Sequence, residues 1–155
     1  MVNDVLTAHL TVGTGEAART IAYRQRQARP NDAGGSAQGP GLVWLGGFRS
    51  DMTGSKATAI DALGDRLGLE ATRFDYSGHG ASGGRFEDGT ISRWLEESLA
   101  VIETVTAGDL ILVGSSMGGW LALLAARALR ASGRPSRVKG LVLIAPAPDF
   151  TEKLM

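Results

Sequence analysis

The chain has 155 residues, enough for one domain with its own core and too few for two ordinary ones. Sixteen Lys and Arg balance sixteen Asp and Glu, so net charge offers nothing to attract nucleic acid or an anionic membrane, and a small neutral or weakly charged ligand fits better. There is no cysteine, which excludes disulfides and thiolate metal sites. The start, MVNDVLTAHL, lacks a basic leader with a long apolar run, and the longest apolar runs, such as Leu121 to Ala126, are too short to span a bilayer; a cytoplasmic protein is expected.

Residues 1–28 read as a β-hairpin, with strands near 6–12 and 20–27 joined by the turn-rich GTGEAA. Residues 29–41, which include PNDAGGSAQGPG, have no apolar period and read as a surface loop. From 42 to 148 strands and helices alternate. LVWLGG (42–47) is a continuous apolar run of the kind buried on both faces of a parallel sheet. SKATAIDALGDRLG (55–68) predicts a helix with Ala59, Ile60, Leu63 and Leu67 on its buried face. EATRFDYSG (70–78) is a strand. TISRWLEESLAVIETV (90–105) is an amphipathic helix presenting Ile91, Trp94, Leu95, Leu99 and Ile102. DLILVG (109–114), GWLALLAARALRAS (119–132) and VKGLVLIAPA (138–147) complete the pattern as strand, helix and strand. Such alternation predicts an α/β fold, a mostly parallel sheet with helices on both faces and an amino-terminal antiparallel hairpin. Ligands in such sheets bind beyond the carboxyl ends of the strands.

Gly114-Ser115-Ser116-Met117-Gly118 fits G-x-S-x-G and sits between an apolar strand and an amphipathic helix. A tight strand-to-helix turn forces the central serine into strained backbone geometry, exposes its Oγ above the sheet, and needs small neighbours where a Cβ would clash. Ser116 is therefore the candidate nucleophile, with Gly114 and Gly118 in support. No Gly-Lys-Ser/Thr follows, so this is not a phosphate-binding Walker loop. Gly78-His79-Gly80-Ala81-Ser82-Gly83 matches the dinucleotide fingerprint G-x-G-x-x-G, but loop residues follow where a helix should begin, so it reads as a glycine-rich turn.

Three segments, WLGGFRSDM at 44–52, RFDYSGHGASGG at 73–84 and LVGSSMGGW at 112–120, in this order and spacing, resemble the α/β-hydrolase superfamily. Within it they look like the group of mitochondrial acyl-protein thioesterases and acyl-glucuronide esterases, over roughly Val43 to Pro148. The resemblance implies that Ser116 attacks an acyl carbonyl and that the backbone amides of Phe48 and Met117 form the oxyanion hole, with Gly47 letting the chain turn toward the site. It implies a small acyl ester or thioester as substrate and no metal or organic cofactor. Asp75 corresponds to a structural loop residue of the family and not to its catalytic acid.

In this superfamily the triad follows in the order Ser, acid, His. The chain has two histidines, His9 and His79, and both precede Ser116. The acid and histidine are therefore expected beyond residue 155, the chain ending about two strands early, after the strand that follows the nucleophile helix. Asp149 is a candidate for an acid position used by some members, set against a plain loop aspartate; His79 reads as a loop residue before a base. Two functional readings result: a serine esterase or thioesterase completed by later residues, or an inactive fragment that at most binds an acyl ligand or a partner. The last strand, with Leu141, Val142, Leu143 and Ile144, is expected to form an exposed sheet edge open to self-association.

Overall fold

Six strands and three α-helices alternate through residues 5–30, 39–133 and 137–149, the parts that the computed structural model describes. In chain order they are β1 (Ala8–Val12), β2 (Arg19–Arg26), β3 (Gly41–Leu45), α1 (Ser55–Leu67), β4 (Ala71–Phe74), α2 (Ile91–Val105), β5 (Leu110–Ser115), α3 (Met117–Ala131) and β6 (Val138–Ile144). Each predicted element is present. Most of the predicted loop at 29–41, residues 31–38, lies outside the described residues.

The strands form one sheet in the order β1-β2-β4-β3-β5-β6. The hairpin β1-β2 and its junction with β4 are antiparallel, whereas β4, β3, β5 and β6 run parallel. Every residue of β3 and β4 is buried: β3 (GLVWL) is the unbroken apolar run expected of a strand covered on both faces, whereas β4 (ATRF) also buries Thr72 and Arg73. The strand period of two sorts their side chains between two cores. Val43, Leu45, Leu110 and Leu112 face a large cluster with Trp94, Val101 and Ile102 of α2 and Leu121, Ala122 and Ala125 of α3. Trp44 and Val113 face a smaller cluster with Ala57 of α1.

From β3 the chain steps outward to β4 on one side and returns to place β5 on the other. This reversal opens a crevice beyond the carboxyl ends of β3 and β5, the place where open α/β sheets bind ligands. The loop after β3 and the turn after β5 meet there.

The predicted face of α2 packs on the core, but the buried sides of α1 and α2 also hold ionisable residues that a count of apolar residues passes over. The buried stripe of α1 is Ala57, Asp61 and Gly64, with Ile60 half-buried, while Ala59 and Leu67 are exposed. Counting only apolar residues rotates the face, because Asp61 is buried as an ion: its carboxylate takes a bidentate contact from Arg26, at 3.0 and 2.7 Å. On α2 the deepest residues are Trp94, Glu97, Ser98, Val101 and Ile102; Ile91, Leu95 and Leu99 pack at the margin of the cluster. Glu97 lies wholly inside the protein.

Candidate active site

Ser116 is the single residue between the end of β5 and the start of α3. Its φ of 55° and ψ of −119° belong to a region that residues with a Cβ rarely adopt. Hydrogen bonds from α3 and from the end of β6 hold it there. Its N–H donates to the Ile144 carbonyl at 3.0 Å, and its own carbonyl accepts from Gly119 at 3.0 Å and Ala147 at 3.0 Å. The flanking glycines are required by contact: a Cβ on Gly118 would stand 2.0 Å from the Leu45 carbonyl oxygen, and one on Gly114 would stand 2.3 Å from that of Gly118. The serine is left exposed in an open cleft of about 380 Å³ lined by Trp44, Gly47, Phe48, Ser50 and Lys56, among others.

The loop after β3 lies directly against this serine. A Cβ on Gly47 would be 3.6 Å from that of Ser116. Gly47 to Ser50 form a turn closed by the Ser50 N–H on the Gly47 carbonyl at 3.2 Å, and Arg49 takes a left-handed φ of 60°. The Phe48 ring packs on Phe86 at 5.1 Å and on Trp94 at 6.1 Å. Met117 follows Ser116 as the first residue of α3, where a helix geometry gives the amide no acceptor within the helix. Ser116, Gly47, Phe48 and Met117 are thus gathered at one end of the sheet.

What holds the loop is the second motif, residues 75–79. The Met52 N–H donates to Asp75 Oδ1 at 2.7 Å, the Tyr76 hydroxyl donates to the Gly46 carbonyl at 2.9 Å, and the Arg49 N–H donates to His79 Nε2 at 3.1 Å. Burial raises the Tyr76 pKa far above the ordinary phenol value, which keeps the hydroxyl a donor. Burial also pushes the Asp75 carboxyl above the usual range, against the amides of Ala81 and Met52 that favour its charge. Beneath this segment, Glu97 accepts from the Ser77 N–H, the Ser77 hydroxyl and Arg19 Nε, each at 2.7 Å.

The other candidates stand apart. His79 is not among the residues lining the Ser116 cleft; it lines a second concavity of about 230 Å³ with Arg49, Ser50 and Asp51. His9 is exposed on β1, the end strand of the sheet farthest from β6. Asp149 is exposed in the turn after β6, with φ of 57°, and is likewise absent from the cleft lining. No α-helix begins directly at Gly83: the 3-10 turn Phe86–Asp88 comes first, and α2 starts at Ile91. Among the described residues, no group of three His, Cys, Asp or Glu could hold a metal ion, and no helix is long and apolar enough to cross a membrane. The roles of Tyr76, Arg19 and Glu97 are absent from the sequence reading. Glu97 had a signal: it lies three residues after Trp94 and four before Val101, on the buried side of α2.

The family model described as "Serine aminopeptidase, S33" matches residues 48–154. The chain belongs to this α/β-hydrolase family. Over 132 residues the chain is 40% identical to human mitochondrial palmitoyl-protein thioesterase ABHD10, a match covering 84% of the chain and 42% of the relative. Among solved structures, an Agrobacterium vitis protein superposes with a TM-score of 0.86 at 52% identity, covering 99% of this chain and 57% of that one. Mouse α/β-hydrolase domain-containing protein 10 superposes with a TM-score of 0.74 at 34% identity, covering 90% and 50%. The chain therefore spans less than half the length of the curated relatives it matches. These relatives also correct the expected location. The human, orangutan and mouse thioesterases are mitochondrial proteins, which points away from the cytoplasm. Apolar runs too short to span a bilayer do not distinguish the two compartments.

Proposed function

We propose that this α/β-hydrolase cleaves carboxylic esters or thioesters through an acyl-serine intermediate, with Ser116 as nucleophile. The observation that carries the reading is the exposed Ser116, held at positive φ between strand and helix with the Gly47–Phe48 loop against it. In the first step Ser116 Oγ bonds to the acyl carbon while its proton passes to a histidine. The carbonyl oxygen becomes an oxyanion received by the amides of Phe48 and Met117, next to the amino-terminal end of α3. Collapse expels the alcohol or thiol, which takes the proton, and water then releases the acid from Ser116. These steps call for no metal or organic cofactor. The thioesterase relatives favour a thioester of a fatty acyl chain as substrate.

His79 spends both ring nitrogens on backbone groups, at 3.1 Å to the Arg49 N–H and 3.0 Å to the Ser77 carbonyl, and His9 is on a distant strand. This supports a triad whose histidine and acid come from residues beyond 155, and it leaves residues 1–155 alone without a base. The test is labelling of the intact enzyme by a fluorophosphonate probe together with hydrolysis of a p-nitrophenyl ester. Ser116→Ala should abolish both, and Ser115→Ala should retain labelling. The reverse pattern would refute the assignment of the nucleophile.

A further inference from the structure

The geometry points to His79 as the positioning residue of the oxyanion turn, an inference that rests on the hydrolase reading of Ser116 and Phe48. The imidazole is 5% exposed and fixed on several sides. Trp94, Phe86 and Tyr76 surround it with ring centroids at 5.3, 5.4 and 5.5 Å. Its two nitrogens face opposite kinds of partner. Nδ1 lies 3.0 Å from the Ser77 carbonyl, which can only accept, so Nδ1 carries the proton. Nε2 is then bare and accepts the Arg49 N–H at 3.1 Å. The Ser77 carbonyl is itself held by Trp94 Nε1 at 3.2 Å, and Ser77 is held by buried Glu97. A continuous set of bonds therefore runs from the protein interior to the Arg49 amide.

That amide belongs to the peptide unit joining Phe48 to Arg49, one unit beyond the Phe48 N–H that would receive the oxyanion. Arg49 is the third residue of the Gly47–Ser50 turn, and its φ of 60° is the conformation for which such turns ordinarily use glycine. An arginine there is strained toward negative φ, and while its guanidinium lies over the Phe86 ring at 5.0 Å, only a bond to its N–H fixes the orientation of the 48–49 peptide. His79 Nε2 is the acceptor that does so. Releasing it lets the 48–49 peptide rotate and carries the Phe48 N–H away from the oxyanion position. The ring contacts the turn's backbone and not the reacting atoms, so His79 acts through Phe48 and is not itself a catalytic residue.

The test compares His79→Phe, which keeps the ring packing and removes the acceptor, with His79→Gln, which offers a carbonyl oxygen near the Nε2 position. Losing one oxyanion donor costs about 10²- to 10³-fold in kcat, and a displaced donor should cost about 10- to 100-fold, with KM little changed. His79→Gln should recover most of that loss. A general structural defect would instead move KM and kcat together and would not be rescued. The second readout is hydrogen exchange of the Arg49 amide, which should be protected in the native protein, fast in His79→Phe and slowed again in His79→Gln. If His79→Phe does not fold, His79→Asn replaces it, since asparagine can reach Ser77 but not Arg49. A kcat close to native in the variant lacking the acceptor, or an Arg49 amide that exchanges equally in all forms, overturns the inference. Absence of Ser116-dependent turnover in the native enzyme would sink the hydrolase reading instead, and Arg49 exchange would still decide whether His79 holds the turn.

Discussion

Glu97→Ala is expected to be among the most damaging single substitutions in this protein, although Glu97 touches no substrate. The carboxylate is wholly buried and receives three hydrogen bonds of 2.7 Å, one from Arg19 and two from Ser77. Truncation leaves the Arg19 guanidinium, whose side chain is 3% exposed, without its buried counter-ion. Breaking such a pair from one side costs about 3–5 kcal/mol. Arg19 keeps some compensation, from Glu96 at 3.2 Å and from the carbonyls of Ala17 and Arg93 at 3.1 and 3.2 Å, which places the loss near the lower end of that range. The Ser77 groups, stranded in the interior, add their own desolvation cost. A loss of about 3 kcal/mol is a large share of the 5–15 kcal/mol that typically holds a domain together, and with an m-value of about 2 kcal/mol/M it lowers the urea midpoint by about 1.5 M. Equilibrium unfolding of the intact protein measures it. Arg19→Met combined with Glu97→Leu should be less damaging than Glu97→Ala alone, because the orphaned charge goes while the stranded Ser77 groups remain. A shift in Glu97→Ala of less than about 1 kcal/mol would refute a buried, charge-bearing Glu97 under the 75–79 segment.

Gly118→Ala should abolish labelling of Ser116 and lower the melting temperature, since the new Cβ would stand 2.0 Å from the Leu45 carbonyl and the end of β3 must shift; a variant labelled at the native rate would refute the close approach. Tyr76→Phe, which strips the donor from the Gly46 carbonyl, should cost about 0.5–1.5 kcal/mol in thermal or urea unfolding and slow ester hydrolysis, and unchanged stability and rate would show that Gly46 does not depend on it. Residues 1–155 expressed alone should hydrolyse a p-nitrophenyl ester only at the residual level of an oxyanion hole without its histidine, about 10³–10⁴ over water; robust turnover abolished by Ser116→Ala would require a base within the chain. The same polypeptide should self-associate through β6, where Leu141 and Val142 are 36% and 48% exposed, and Val142→Lys should shift light scattering toward monomer; a native monomer at high concentration would refute it.

The elements and the strand-to-helix turn at Ser116 were legible in the sequence because they rest on period and on chain-local sterics. Alternation in 42–47 and 109–114 sorts side chains between two cores, and G-x-S-x-G demands small residues within one turn of chain, so both leave a local mark. The buried ions were not legible in the same way. Asp61 and Glu97 occupy interior positions of their helices, and a reading that counts only apolar residues rotates α1 and thins α2; their partners Arg26 and Arg19 lie 35 and 78 residues away on β2. Least legible was the pairing of the WLGGFRSDM and DYSGH segments. Tyr76 and His79 bond to backbone groups of Gly46 and Arg49, and a backbone partner has no residue type by which a sequence could announce it. The edge was legible only in outline: Leu141 and Val142 are exposed as expected, whereas Leu143 packs on the larger core and Ile144 on the smaller.

The reliance on directional bonds at residues 46–52 follows from where that loop must lie. On the proposed reading both oxyanion amides face the cleft, but Met117 does so with its side chain buried at the start of α3, whereas Phe48 sits on a loop and is 38% exposed. Burial does secure the two ends: Gly46 is buried, and Met52 is 1% exposed. Between them the Phe48 ring packs on Phe86 and Trp94, which places the ring without orienting the backbone amides, and an amide that drifts by a fraction of an ångström loses most of its preorganised advantage at the transition state. Hydrogen bonds fix orientation where hydrophobic contact, which is non-directional, cannot. Their donors and acceptors must in turn be rigid, which accounts for placing Tyr76 and His79 among rings and for seating Ser77 on a buried ion pair. The cost of burying Arg19 and Glu97 is therefore best understood through what the pair orients, since an apolar pair of the same volume could fill the space but could not hold Ser77.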